Sequence, residues 1–423
     1  MHIAIYKIIF ISRVRPREPM EMTGCVDQFQ NQGFFARKSY SKQPDRLAGF
    51  GNDEISNASV NNDALVRFVD VEKSYDGDTL VVKELNLDVY SGEFLTILGP
   101  SGSGKTTCLM MLAGFETVTE GTILLDGKPI NHLPPYRRNI GMVFQNYALF
   151  PHMTVAENLA FPLKVRRFNR AEIEDRVEKA LDMVRLSGLG HRIPLQLSGG
   201  QQQRIAVARA LVFEPKLVLM DEPLGALDKQ LREQMQYEIK RLHAELGLTV
   251  VYVTHDQSEA LVMSDRIAVF HEGAIQQLST PIDIYERPQT AFVAQFIGEN
   301  NQFYGTTIEI GNKSCSVKLS DDTIVYALPV GVQDIGMNVA LSIRPERILI
   351  GNNIDSCQNK IKAVIKELHY LGDHLRVYVG LPNSVEIAIK ISNAMLQGVP
   401  KPGDEIWIGW KTEDCRAMAS PSQ

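Results

Sequence analysis

The run Gly99-Pro100-Ser101-Gly102-Ser103-Gly104-Lys105-Thr106-Thr107 holds the densest chemistry in the chain. It fits G-x-x-x-x-G-K-[ST], a loop whose glycines let backbone N–H groups turn inward around a phosphate. An apolar run, FLTILG, leads into it, and an apolar helical pattern, CLMMLAGF, follows. The loop therefore opens a helix, whose N-terminus adds a favourable dipole for an anion. Lys105 can reach the outer phosphates of a nucleotide, and the Thr106 hydroxyl can ligate Mg²⁺.

A second run, LVLMDE, ends in Asp221 and Glu222. It reads as a buried strand, so both carboxylates fall at the carboxyl edge of a sheet, where ligands bind in such folds. Asp221 can hold Mg²⁺ there, through water, and Glu222 can orient or deprotonate an attacking water. Alone, Asp-Glu-Pro after a strand reads as well as a helix cap; the phosphate loop favours the catalytic reading. TVVYVTH delivers His255 to the same edge, within reach of a γ-phosphate or the water. Gln145, in MVFQNYALFP, is a neutral amide able to bind Mg²⁺ or water, or an ordinary surface glutamine. Tyr75, in VEKSYDGD, is an aromatic face for adenine, or a plain strand aromatic.

The stretch LSGGQQQRIAVARAL opens a second glycine-rich helix start with no lysine. Ser198 and Gln201 have the S-x-x-Q spacing of a capping box, which by itself explains a helix N-terminus. Gly199 and Gly200 add a backbone entropy cost that makes sense if the backbone must approach a ligand closely. The stretch looks like half of a site.

These residues need a scaffold of buried strands and covering helices. ALVRFVDVEKSY, LVVKELNLDVY, FLTILG, LVLMDE and TVVYVTH read as strands, with DRIAVFHEG as an edge strand. AEIEDRVEKALDMVRLSGL, QQRIAVARALV and LREQMQYEIKRLHAELG read as helices. Their alternation predicts a largely parallel sheet covered on both faces, over residues 63–298. From residue 299 to 423 the pattern turns to short strands such as NVALSIR, HLRVYVG and DEIWIGW, predicting a small barrel-like all-β domain. STPIDIYERPQTAFVAQFIG connects the two. Residues 1–62 are polar and aperiodic for most of their length and read as a disordered extension. A net charge of -6 excludes coating of nucleic acid through bulk positive charge. The five cysteines form no CxxC pair, and no run of about 18 apolar residues offers a transmembrane helix.

Taken together, the motifs resemble the ATP-binding subunits of ABC transporters, in the family's own order over about residues 64–298. They are the A-loop Tyr75, Walker A at Gly99–Thr106, the Q-loop Gln145, the signature LSGGQ, and Walker B ending at Asp221 with Glu222. The D-loop LGALD, ending at Asp228, and the switch His255 follow. One departure is Gly225, where the family often has Ser. The β tail is similar to the accessory OB-type (TOBE) domain of importer subunits, with LSIRPERI and ELHYLGDHLRV its clearest phrases. FIGENN and LSIRPERI look most like the polyamine type; ferric iron, sulfate or sugar importers are the alternatives, and a soluble ABC ATPase a more distant one. The resemblance implies a P-loop α/β domain with a helical subdomain, hydrolysing ATP with Mg²⁺ as a head-to-tail dimer. Ser198, Gly199, Gly200, Gln201 and Asp228 would then serve the nucleotide of the partner copy. It further implies two transmembrane permease subunits, an external solute-binding protein and a place on the cytoplasmic face of the membrane. YALFPHMTVAENLAFPL, rich in apolar and aromatic residues, reads as an ordinary core segment or as a groove for a short helix of the permease, or as both through different residues.

Overall fold

The computed structural model describes residues 64–311, 313–382, 385–392 and 401–419. The extension expected over residues 1–62 lies outside them.

The chain opens with β1 (Ala64–Ser74) and β2 (Leu80–Tyr90), then β3 (Phe94–Leu98) and α1 (Lys105–Ala113). β4 (Glu120–Leu125), β5 (Lys128–Pro129) and β6 (Gly141–Val143) follow. Next come α2 (Val155–Val165), α3 (Arg170–Met183) and α4 (Gly199–Leu211), then β7 (Leu217–Asp221), α5 (Lys229–Leu246) and β8 (Thr249–Thr254). α6 (Gln257–Met263), β9 (Arg266–His271) and β10 (Ala274–Ser279) lead into α7 (Pro281–Glu286) and α8 (Ala291–Phe296).

The central sheet has the order β10-β9-β3-β8-β7-β6 and is parallel except at β10. Two strand expectations need correction. ALVRFVDVEKSY and LVVKELNLDVY do not enter this sheet; β2-β1-β4-β5 form a separate antiparallel one. The short link from Ser74 to Leu80 cannot make the crossover that parallel pairing needs, so β1 and β2 fold as a hairpin. DRIAVFHEG is not an edge either: β9 lies between β3 and β10. Glu272 and Gly273, with φ of 47° and 84°, form a tight turn of the kind that suits strand twist and brings AIQQLS back as the edge.

α1 lies between the two sheets. Leu109, Leu112 and Cys108 pack with Leu95 and Ile97 on one side and Val66, Phe68 and Leu87 on the other. The opposite face of the central sheet is covered by α4 and α5 through Ala206, Val207, Ala210, Met235 and Ile239. α4 faces two ways, because its Ile205 and Ala208 join α2 and α3 in a helical layer with its own core.

α7 and α8 pack through Ile284, Val293 and Ile297 against Leu98, Ala260 and Val269, so the connecting segment completes the core behind the phosphate loop. The remaining chain is β11 (Asn301–Ile310), β12 (Cys315–Lys318), β13 (Ile324–Val330), β14 (Asn338–Ile343), β15 (Leu349–Ile350), β16 (Asn359–Tyr370), β17 (His374–Gly380), β18 (Glu386–Ser392), β19 (Glu405–Trp410) and β20 (Cys415–Ala419). Rather than one barrel, they make a closed barrel, β11-β12-β13-β20-β14, and a five-stranded sheet, β15-β19-β16-β17-β18. Phe303, Val317 and Leu341 of the barrel share one core with Val377, Ile408 and Trp410 of the sheet. Two asparagines bridge them by imitating a strand backbone. Asn301 exchanges a pair of hydrogen bonds with the main chain of Ala388, and Asn359 does the same with Tyr326.

At the far end of α1, the Arg138 guanidinium donates to the carbonyls of Met111 (2.7 Å), Leu112 (2.9 Å) and Leu133 (2.8 Å). The last carbonyls of a helix otherwise lack partners, and a cation there also suits the dipole. Arg138→Met strands these buried acceptors. It should destabilise the fold by about 3 kcal/mol, read as a fall of roughly 6–12 °C in Tm.

Candidate active site

Three buried parallel strands run side by side and stop at the same edge. β3 ends at Leu98 before Gly99, β7 at Asp221, and β8 at Thr254 before His255. All five residues of β7 are buried, so its charge emerges only at the end.

The phosphate loop is shaped by close approaches. A Cβ on Gly99 would lie 2.1 Å from the Phe270 carbonyl oxygen, and one on Gly104 2.7 Å from that of Val81. Gly104, at φ 102°, caps α1 without any side-chain hydrogen bond, and no acidic residue occupies the first turn. The helix therefore begins with its N–H groups free for an anion. Ser101 and Gly102 are exposed at the crest, beside Pro100. The Ser103 hydroxyl is buried with no partner, an orphan that a phosphate oxygen would satisfy.

Lys105 Nζ donates to the Pro100 carbonyl at 2.7 Å, folding the ammonium over the loop. Burial lowers its pKa, while the Glu222 and Asp221 carboxylates oppose the shift. Thr106 Oγ1 donates to Asp221 Oδ1 at 3.1 Å. Burial raises the Asp221 pKa, partly offset by that hydrogen bond. A hydroxyl and a carboxylate beside an open phosphate loop suit Mg²⁺, which takes few protein ligands and completes its shell with water and phosphate. Among the described residues no cluster of three or more His, Cys, Asp or Glu offers a metal cage, so a site here would need the nucleotide's own oxygens.

Glu222 stands at the centre. Its Oε1 is 3.0 Å from His255 Nδ1, and its Oε2 accepts from Gln145 Nε2 at 3.3 Å. Its backbone sits at φ 43°, a left-handed conformation that non-glycine residues seldom adopt, with its N–H donated to the Val253 carbonyl. Such strain clusters at functional sites. Tyr75 presents a ring that is 60% exposed, with Lys73 Nζ 4.7 Å from its centroid and its hydroxyl 3.5 Å from Thr107 Oγ1. An open aromatic face thus stands next to the loop.

The other predicted residues make contacts elsewhere. Ser198 and Gln201 form the full capping box of α4, each side chain bonded to the other's backbone N–H. Gly200 abuts Leu231 of α5, where a Cβ would come within 2.9 Å. Asp228 caps α5, accepting from the Leu231 N–H at 2.9 Å. Among the described residues, no hydrogen bond joins these to the phosphate loop of the same chain. In YALFPHMTVAENLAFPL, Val155, Leu159, Ala160 and Leu163 are buried in the helical layer. Pro151 and His152 are exposed, and the Phe150 and Phe161 rings meet nearby at a tilt of 55°, with centroids 4.8 Å apart.

Arg209, which the motif reading missed, ties two of these parts together. It donates to the carbonyls of Tyr147 and Ala148, both at 2.8 Å. Those two successive residues have φ of 61° and 47°, a strained bend just after Gln145. Burial lowers the Arg209 pKa to about 10, which leaves it charged at neutral pH. Its signal in the sequence is a lone cation inside the apolar run IAVARAL.

A phosphate-wrapping loop on a parallel sheet, with a carboxylate pair and a histidine at the same edge, defines a P-loop nucleotide-binding protein. Comparison with known proteins narrows this. The ABC transporter family matches residues 82–225 and the TOBE domain residues 341–418. The spermidine/putrescine import ATP-binding protein PotA of Thermobifida fusca is 45% identical over 361 residues, covering 85% of this chain and 94% of that protein. Its namesake in Aliivibrio fischeri is 47% identical, covering 77% of this chain and 88% of that protein. The solved structure of cbiO1 from Clostridium perfringens, part of the ABC transporter complex cbiONQ, aligns with a TM-score of 0.50 at 30% identity. It covers 52% of this chain and 90% of that one. The chain belongs to the ABC transporter family, among its import ATP-binding subunits. No helix of the described residues is long and apolar enough to cross a membrane.

Arg209→Met removes both donors from the bend. Amide exchange over residues 145–150 should then rise at least tenfold, by hydrogen-exchange mass spectrometry, without a matching change in β7. Unchanged exchange there would show that the bend holds itself.

Proposed function

We propose that two copies of this chain, packed head to tail, hydrolyse ATP with Mg²⁺ and so drive uptake of a polyamine through partner permeases. The observation that carries the reading is Glu222, held between Gln145 and His255 beside the Thr106–Asp221 pair. Thr106, Asp221 and Gln145 would hold the metal, which neutralises phosphate charge when bound. The chain's own residues do the rest. Lys105 and the open start of α1 bind the outer phosphates, and Tyr75 stacks on adenine. Glu222 accepts a hydrogen bond from the attacking water and draws its proton as the water closes on the γ-phosphate. His255 holds that carboxylate in line.

The signature half is supplied in trans. In one chain Ser198 and Gln201 cap α4 and Gly200 abuts Leu231, and the second copy's phosphate loop gives this helix start an anion to face. Loss of the γ-phosphate then removes the charge that holds the two copies together, and the permeases follow as a population shift. The assembly adds two transmembrane permease subunits and an external solute-binding protein, with this subunit on the cytoplasmic face. The polyamine assignment is supported by the names of its relatives and by the phrases FIGENN and LSIRPERI.

Glu222→Gln should keep ATP binding, lower turnover by about 10²–10⁴-fold and accumulate a dimer in gel filtration with ATP. Rapid turnover by this variant would remove Glu222 from its role. Gly199→Asp and Lys105→Ala should each be inactive alone. Mixed dimers of the two should recover part of one site's activity, since one interface then carries an intact loop and an intact signature. No recovery in a verified heterodimer would rule out the shared site.

A further inference from the structure

We propose that Gln257 is a positioning residue for His255, and the joint through which the C-terminal β domain acts on ATP turnover. The proposal rests on the assignment of hydrolysis to Glu222 and His255.

Gln257 is the first residue of α6, two positions after His255. Its side-chain amide grips the end of α8 from both sides of one residue. Nε2 donates to the Phe296 carbonyl, and Oε1 accepts from the Gly298 N–H at 2.7 Å. Glutamine suits this place because one planar group offers both a donor and an acceptor. Ile297, between the two bonded residues, is fully buried against Leu98, the last residue before the phosphate loop.

The same three-residue segment is held from the far side by the β domain. Arg344, just past β14, is buried and donates to the carbonyls of Ala294 (3.1 Å), Ile297, Glu299 (3.0 Å) and Tyr285 (3.1 Å). Its guanidinium lies 4.4 Å from the Tyr285 ring centroid. Gly298, at φ 67°, lets the backbone come this close, since a Cβ would lie 2.7 Å from the Tyr285 ring. Arg347 Nη2 donates to both carboxylate oxygens of Glu286, and Arg416 donates to the Glu286 carbonyl. LSIRPERI is therefore the clamp that fastens the barrel to α7 and α8.

The chain of contacts is short and stiff. Arg344 holds residues 294–299, Gln257 holds Phe296 and Gly298, and one residue, Asp256, separates Gln257 from His255. Asp256 is itself fixed by Arg232 at 3.1 Å and by its cap on α6. A shift of the barrel that moves Arg344 must move the Phe296–Gly298 backbone, and Gln257 passes that shift to the imidazole beside Glu222. A misplacement on the ångström scale is enough to slow a reaction about 10²-fold. ATP binding, through Lys105 and α1, uses none of these bonds.

The test is steady-state ATPase kinetics on the full-length chain. Gln257→Leu keeps the side chain's bulk and removes both hydrogen bonds. It should lower kcat about 10- to 100-fold with KM for ATP changed less than about twofold. Arg344→Met should lower kcat in the same way, and the double variant should fall little below the worse single one. Should Arg344→Met fail to fold, Arg347→Met loosens the same clamp at a more exposed position and replaces it in the cycle. Wild-type kcat in Gln257→Leu, a loss confined to KM, or multiplicative losses in the double variant would each overturn the proposal. If instead the wild-type chain shows no turnover that Glu222→Gln abolishes, the underlying assignment of hydrolysis has failed.

Discussion

A strand buried on both sides can carry charge only where it ends, because an ion along its length would be stripped of water with nothing to replace it. β3, β7 and β8 are such strands, and they are parallel neighbours. Their ends therefore bring the phosphate loop, Asp221, Glu222 and His255 to one line of the molecule. The surrounding architecture serves this constraint: α1 fills the space beneath the loop, and α7 and α8 close the core behind Leu98. The β1–β2 hairpin brings Tyr75 to the rim of the loop.

The two glycine-rich helix starts differ in how their N–H groups are treated. α1 begins after a glycine with no side chain to satisfy its first donors. α4 begins with a serine and a glutamine that satisfy each other's backbone. An uncapped buried start is unfavourable without an anion, so the first helix waits for a ligand and the second can stand alone. This contrast gives a physical reason for the lysine in the first loop and its absence from the second.

Much of the site was readable from the chain because its chemistry is local. Nine consecutive residues form the phosphate loop, and Asp221, Glu222 and His255 follow directly on apolar runs. Ser198 and Gln201 were legible as a cap for the same reason. What escaped depends on long-range contact. That β1 and β2 form their own sheet follows from a turn of a few residues, and β9 leaves the edge because two left-handed residues fold β10 onto it. β20 is five residues long with no strong alternation, yet it closes the barrel by pairing with both β13 and β14. Arg138, Arg209 and Arg344 each satisfy carbonyls far away in sequence, and no spacing rule points to such acceptors.

The left-handed backbone of Glu222 has a bearing on how variants of this protein would fare under selection. Holding a residue that carries a Cβ at φ 43° costs about 1–3 kcal/mol, and glycine at that position would escape the penalty. Under the role proposed for Glu222, a substitution that relieves this strain would also silence the site. A laboratory screen that rewards soluble yield alone would drift toward inert proteins, and only a screen that also demands work from the nucleotide would keep the acid in place.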